Sequence, residues 1–202
     1  RRCHLGRSYS CLFVSYQEEQ IFESYQDPIP ELFKRFVDDG IGATSMSHHD
    51  LINFIDFICN FHPALKFTTN ISETSIPFLD IQLQIVDNRI ATSIFYKESD
   101  SHSCLNHQSY HHHKCITSIP FAELLRLRRL CSEDTDFQEK STEMSGFFSE
   151  CNYPSKVIHS AQQKISTIPQ TEALKPRSKQ TANDRTPLVL TYHPLVHRAK
   201  HI

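Results

Sequence analysis

Apolar residues change their spacing once along this chain, and that change restricts the fold more than any other feature. Before residue 98, helix-like and strand-like patterns alternate; after residue 117, helix spacing dominates. Leu12, Phe13, Tyr16 and Ile21 mark an imperfect helical stripe over residues 8 to about 25, ended by Asp27-Pro28-Ile29-Pro30. Leu32, Phe33, Phe36 and Val37 form a predicted strand, with the reversal at Asp39-Gly40. Ser47 is expected to cap the next helix by accepting the N–H of Asp50, whose carboxylate faces the positive helix end. Leu51, Phe54, Ile55 and Ile58 supply its buried face, and Phe61-His62-Pro63 ends it. Strands are predicted over 66–69, 76–86 and 90–96, with Asp87-Asn88 as the last turn. Residues 1–97 are therefore expected to form an α+β unit.

Residues 98–117 are polar and rich in His, as a connector would be. Residues 118–166 predict three helices. The first is expected to open at Ser118-Ile119-Pro120 and to bury Phe121, Leu124, Leu125, Leu127 and Leu130. Arg126 and Arg129 lie beside that apolar arc, while Arg128 falls inside it and is expected to snorkel or pair with an acid. Ser132 is the predicted cap of the second helix, which buries Phe137, Met144, Phe148 and Cys151; the third buries Val157, Ile158, Ala161 and Ile165. Residues 167–202 read as a basic linker with one strand at Pro187-Leu188-Val189-Leu190-Thr191-Tyr192.

With 39% hydrophobic residues in 202, the expected core is modest and does not span the chain. The formal charge of -2 hides an asymmetry: residues 1–97 carry 8 Lys/Arg against 12 Asp/Glu, and residues 98–202 carry 13 against 11. The late basic residues, Lys175, Arg177 and Lys179 among them, suit either a phosphate backbone or a solvated tail. Seven cysteines without a CxxC pair, no secretory leader and no long apolar run favour an intracellular setting, nuclear or cytoplasmic, and no membrane partner. The start at Arg1-Arg2-Cys3-His4, without Met, is compatible with a fragment.

Phe36-Val37-Asp38-Asp39-Gly40 places two adjacent carboxylates at a hairpin. Such a pair can hold a divalent metal for nucleotidyl transfer, yet that chemistry needs a further carboxylate, and no convincing one precedes it. By itself the pair also suits a solvated turn. Cys104, His107, His111 and Cys115 are zinc-ligand types at short intervals, but not at the spacing of a standard finger, and a polar loop is the competing reading. Arg126 and Arg129 are candidate phosphate contacts on a helix face, with a salt-bridged solvent face as the alternative.

The FVDDG segment resembles the catalytic hairpin of reverse transcriptases, and its surroundings resemble the Penelope-like retroelement class. The likeness runs through Leu5-Gly6 with Tyr9 and Leu12, Phe61-His62-Pro63, Lys66-Phe67-Thr68, Phe78-Leu79-Asp80, Phe95-Tyr96-Lys97 and Ser118-Ile119-Pro120-Phe121. It continues in Leu125-Arg126-Leu127-Arg128-Arg129-Leu130-Cys131-Ser132 and in Pro187-Leu188-Val189-Leu190-Thr191-Tyr192-His193-Pro194. The resemblance implies a partial palm over 1–97 and a thumb-like, or helix-turn-helix, region over 118–166. It implies DNA synthesis on an RNA template, with Asp38 and Asp39 as ligands for Mg2+ and with Leu5, Gly6 and Phe36 positioning substrate. Phe36 stands where Tyr is commoner. The fingers, the strand with the earlier catalytic Asp and the carboxyl-terminal nuclease have no counterpart here. The expectation is a truncated, polymerase-like protein, inactive alone, with RNA or DNA and a complementary polymerase segment as partners. The competing expectation is a noncatalytic structural or protein-interaction module.

Overall fold

The computed structural model describes residues 4–176. Arg177, Lys179 and the strand expected at 187–192 lie outside the described residues. The chain divides into two compact units between Leu79 and Asp80. Residues 1–97, expected as one unit, fall on both sides of this division, and a break at Leu79, where φ is 55°, separates the run expected at 76–86 into two strands, one on each side.

The first unit contains α1 (His4–Ser24), β1 (Leu32–Phe36), β2 (Asp39–Ala43), α2 (His48–Phe61) and β3 (Ser75–Phe78). Its core is aromatic. Phe54 of α2 is buried and meets Tyr25 at 5.2 Å between ring centroids and Phe22 at 6.2 Å; Phe22 in turn meets Phe33 of β1 edge-on at 5.4 Å. Such edge and tilted contacts add to the area buried, because ring edges and faces carry opposite partial charge. The cap of α2 forms as expected: Ser47 Oγ accepts the N–H of Asp50 at 3.2 Å and donates to the Asp50 carboxylate at 2.7 Å. The α1 stripe differs. Ile21 and Gln17 are buried, while Leu12 and Tyr16 are exposed. Residues 66–69 form no strand.

The second unit contains β4 (Ile81–Val86), β5 (Arg89–Ile94), α3 (His113–Leu130), α4 (Asp134–Glu150), α5 (Ser155–Ser166) and the single-turn α6 (Gln170–Ala173). Leu124, Leu127 and Cys131 from α3 and its end, Phe137, Met144 and Phe148 from α4, and Ile158, Ala161 and Ile165 from α5 share one core with Ile94. Each fully buried Leu or Phe there contributes roughly 1.5–3 kcal/mol. The apolar faces expected from helix spacing are the ones buried.

Three helix ends differ from expectation. α3 opens at His113, not Ser118, because His112 Nδ1 accepts the N–H of Lys114 at 3.2 Å and buried Ile116 anchors the added turns. Pro120 consequently lies inside the helix, where it lacks an N–H for the preceding turn. Ser132 does not cap α4. Its Oγ accepts the N–H of Thr92 at 2.9 Å, and its own N–H donates to the Thr92 carbonyl at 2.8 Å, so the residue joins β5 to the α3–α4 corner. α6 occupies part of the expected linker, following Pro169. Among the described residues, no helix is long and apolar enough to cross a membrane.

Candidate functional site

In the first unit, β1 and β2 pair antiparallel with Phe36 opposite Asp39, so Val37 and Asp38 are the two loop residues. This corrects the reversal expected at Asp39-Gly40: Asp39 and Gly40 open β2. Val37 has φ 61°, and Asp38 is not among the residues with positive φ, the pattern of a type II′ turn. Glycine ordinarily fills that first position. A β-branched side chain there is strained by roughly 1–3 kcal/mol.

Arg35 offsets the strain. Its Nη1 donates to the Val37 carbonyl at 2.5 Å, its Nε to Glu18 at 2.5 Å and its Nη2 to Ser15 at 2.8 Å, tying the turn to α1. The bond to Glu18 raises the Arg35 pKa further above its ordinary value. Gly40 and Gly42 lie on that same helix-facing side, where a Cβ at Gly42 would approach the Leu32 carbonyl to 3.4 Å. At the hairpin's base, Glu31 accepts from the Ser45 N–H and hydroxyl, and the Ser45 hydroxyl bond above all draws its carboxyl down to about 2.

Cross-strand partners share a face, so Asp39 lies with Phe36, Lys34, Ile41 and Leu32 on the side away from Arg35. Phe36, which the resemblance assigns to substrate positioning, is 57% exposed on this open face. Asp38 and Asp39 are both exposed. Leu5 and Gly6 lie in the first turn of α1.

The donor set does not fit Mg2+ by itself. One carboxylate stands in the turn and the next at a strand start, and among the described residues no three His, Cys, Asp or Glu side chains gather to hold a metal ion. The zinc-ligand types likewise separate. Cys104 is engaged with Cys151, which receives the Cys104 N–H at 3.3 Å and donates to its carbonyl at 3.4 Å, while His107 packs edge-on against Tyr153 and His111 meets Ser109. Burial, then the bond to Cys151, pushes the Cys104 thiol up to about 12, away from the thiolate a metal requires.

The residues expected to connect the units are structured. His102 stacks on Phe147 at 4.4 Å and meets Tyr96 edge-on at 4.6 Å; Leu105 packs on the helical core and its carbonyl accepts from Tyr153. These contacts attach the segment to α4.

The three arginines of α3 have partners. Arg126 bonds Asp80 at 2.5 Å and lies 3.6 Å from Glu123. Arg129 Nε donates to the Ala173 carbonyl at 2.7 Å. Arg128, as the wheel predicts, is buried and paired: Nη2 reaches Asp134 at 2.7 Å and its guanidinium lies 4.9 Å over the Phe137 ring, fixing the α3–α4 corner. Lys175 pairs with Glu172 at 2.5 Å. The structure brings Arg129 and Lys175 to one cavity of about 750 Å³, lined also by Phe121, Leu125 and Leu174.

Sequence reasoning overlooked Val37, Arg35 and the outer face of α5. A β-branched residue in a two-residue loop was the available signal for the first. No sequence pattern announced that Arg35 would reach back to α1.

Residues 103–163 match the animal helix-turn-helix domain family. No curated protein and no solved structure matches the chain. The matched segment comprises α3, α4, the first nine of the twelve residues of α5 and the segment leading into them. The chain is thus a mixed α+β protein with a helix-turn-helix region toward its carboxyl end.

Proposed function

We propose that this chain acts by binding nucleic acid through its helix-turn-helix region, and that it is not a polymerase by itself. The observation that carries this reading is that residues 103–163, which match the animal helix-turn-helix family, include α3, α4 and most of α5, packed around one core. Short helices joined by tight corners can set one helix into a nucleic-acid groove while their neighbours hold the backbone. Arg126, Arg129 and Lys175 are the proposed α3-side contacts to phosphate; each would exchange an internal partner for a phosphate oxygen. Anisotropy titrations of the full chain at several salt concentrations test the reading. Binding should weaken as salt rises, because phosphate contacts release counterions. Absence of binding would remove the reading, and salt dependence unaltered in R126A/R129A would remove α3 from the interface.

The first unit descends, on this proposal, from the palm of a Penelope-like reverse transcriptase, with the helical region in the place of its thumb. A strained Val37 beside Asp38 and Asp39 supports that ancestry, since strained turns persist where the exposed side chains serve a purpose. Polymerisation would need a complementary segment to contribute a further carboxylate. The open face bearing Asp39 and Phe36 offers a place for one, as do the edges of this sheet, which among the described residues has two strands. Primer extension with Mg2+, by the chain alone and with such a segment, tests this; activity in the mixture that survives D38N/D39N would exclude the pair.

A second reading is a protein-interaction module. It is favoured by the exposed acidic residues of α4, Asp134, Glu139, Glu143 and Glu150, and by exposed Ile85, Val86 and Ile90 at the β4–β5 tip. A stable protein complex formed without affinity for nucleic acid would establish it.

A further inference from the structure

α5 separates its two sides cleanly. Ile158, Ala161 and Ile165 are buried, and Gln162 donates to Ser145 of α4 at 2.7 Å, so the helix is held in one rotation about its axis. The opposite side exposes Ser155, Lys156, His159, Ser160, Gln163 and Lys164. No acidic residue lies between Glu150 and Glu172. Among the described residues, the side chains of Lys156, His159, Gln163 and Lys164 have no hydrogen-bond or ion-pair partner, in contrast to the three arginines of α3. Lys156 and Gln163 stand seven residues apart, about 10 Å along the axis, near the centre of the exposed arc.

We infer that this face of α5 is the groove-contacting surface of the helix-turn-helix region, and that its ligand is B-form duplex DNA. The inference rests on the nucleic-acid reading above and narrows it to one helix and one form of duplex. Charge decides between helices. The exposed residues of α4 include Glu139 and Glu150 besides the ion-paired Asp134 and Glu143, an acidic surface that phosphates would not favour, and the cations of α3 would first have to give up existing partners. α5 brings two unpaired lysines, with Gln163, His159 and Ser160 as donors and acceptors for base edges.

Groove width decides between duplexes. With its side chains a helix is about 10–12 Å across, which the B-form major groove, about 12 Å wide, admits. The major groove of an A-form duplex is deep and narrow and does not. An RNA duplex or an RNA–DNA hybrid, the substrate that reverse-transcriptase ancestry implies, therefore fits this surface less well than DNA. The twelve residues of α5 span about 18 Å, enough to lay both lysines along one groove.

The test titrates the full chain into duplexes of one sequence made as DNA, RNA and hybrid, over a range of salt. The DNA duplex should bind about tenfold more tightly than the other two. K156A/K164A should lower the slope of log affinity against log salt by about two, since each lysine accounts for roughly 0.9. K66A/K97A removes the same charge elsewhere and should leave the slope in place. All these positions are exposed, and thermal melting confirms that each variant is folded. Hydrogen exchange on the wild type supplies a second readout: DNA should slow exchange within 155–166. Tighter binding to RNA or hybrid overturns the B-form assignment. A slope unchanged in K156A/K164A overturns the α5 assignment while leaving nucleic-acid binding in place. No binding to any of the three overturns both.

Discussion

Two hairpins among the described residues, β1–β2 and β4–β5, reverse over two residues each, by opposite local chemistry. β4 and β5 turn through Asp87 and Asn88, both at positive φ, in residues whose short polar side chains tolerate that conformation. β1 and β2 turn through Val37 and Asp38, with the positive φ on a β-branched residue. The β4–β5 turn follows the preference of its own residues. The β1–β2 turn closes because Arg35, held by Glu18 and Ser15 of α1, holds the Val37 carbonyl. A turn that local preference opposes is maintained by a contact between residues seventeen apart in the chain, and it is the turn that carries the carboxylate pair.

The largest effect should come from removing that clamp. Arg35→Ala loses three hydrogen bonds of a mostly buried guanidinium and leaves Glu18 without its partner, a cost of about 2–3 kcal/mol. The comparison sharpens if amide exchange then rises in β1 and β2 alone; it breaks if the whole chain melts earlier with the hairpin exchanging no faster.

Exchanging the turn chemistries should give effects of opposite sign. Asn88→Val places a β-branched residue at φ 59° and should cost about 1–2 kcal/mol. Val37→Gly relieves strain but gives up a half-buried side chain, for a net gain of about 0.5 kcal/mol. Thermal melting of the two variants decides it. A loss in both would mean that Val37 is not strained.

The smallest effect is on pH. Glu31 has its carboxyl held at about 2 in the folded chain by Ser45, below the ordinary 4.5. A depressed carboxyl contributes stability that is complete above the unfolded value and is lost as pH falls from about 4.5 through about 2. The Ser45 amide resonance should follow that window, and Glu31→Gln should abolish the dependence.

Ser132 and Ser47 show how much of such detail local sequence carries. Ser47 caps α2 because the acid three residues on is within reach of its hydroxyl, and the pairing is wholly local. Ser132 looked equally suitable for α4 but bonds Thr92, forty residues earlier in the chain. Arg128 lay between these cases: the wheel placed it in an apolar arc and required an acid, and Asp134 supplied one, yet the Phe137 ring beneath it appears only after folding. For the candidate sites, the Asp pair at a hairpin was legible, the residue bearing the turn was not, and the free cations of α5 could not be told from the engaged ones of α3 by composition.

What the sequence by itself determined was each element that its own neighbours stabilise: the three helical faces, the cap of α2, the Asp87-Asn88 turn and the mixed α+β class. These depend on residues within about one helical turn or one strand, whose spacing is written directly in the chain. Only tertiary structure decided where α3 begins, which serine caps, how a valine holds a positive φ and which cations stay unpaired. Each of those follows from hydrogen bonds and burial between residues far apart in the chain, and such contacts exist only once the core has brought them together.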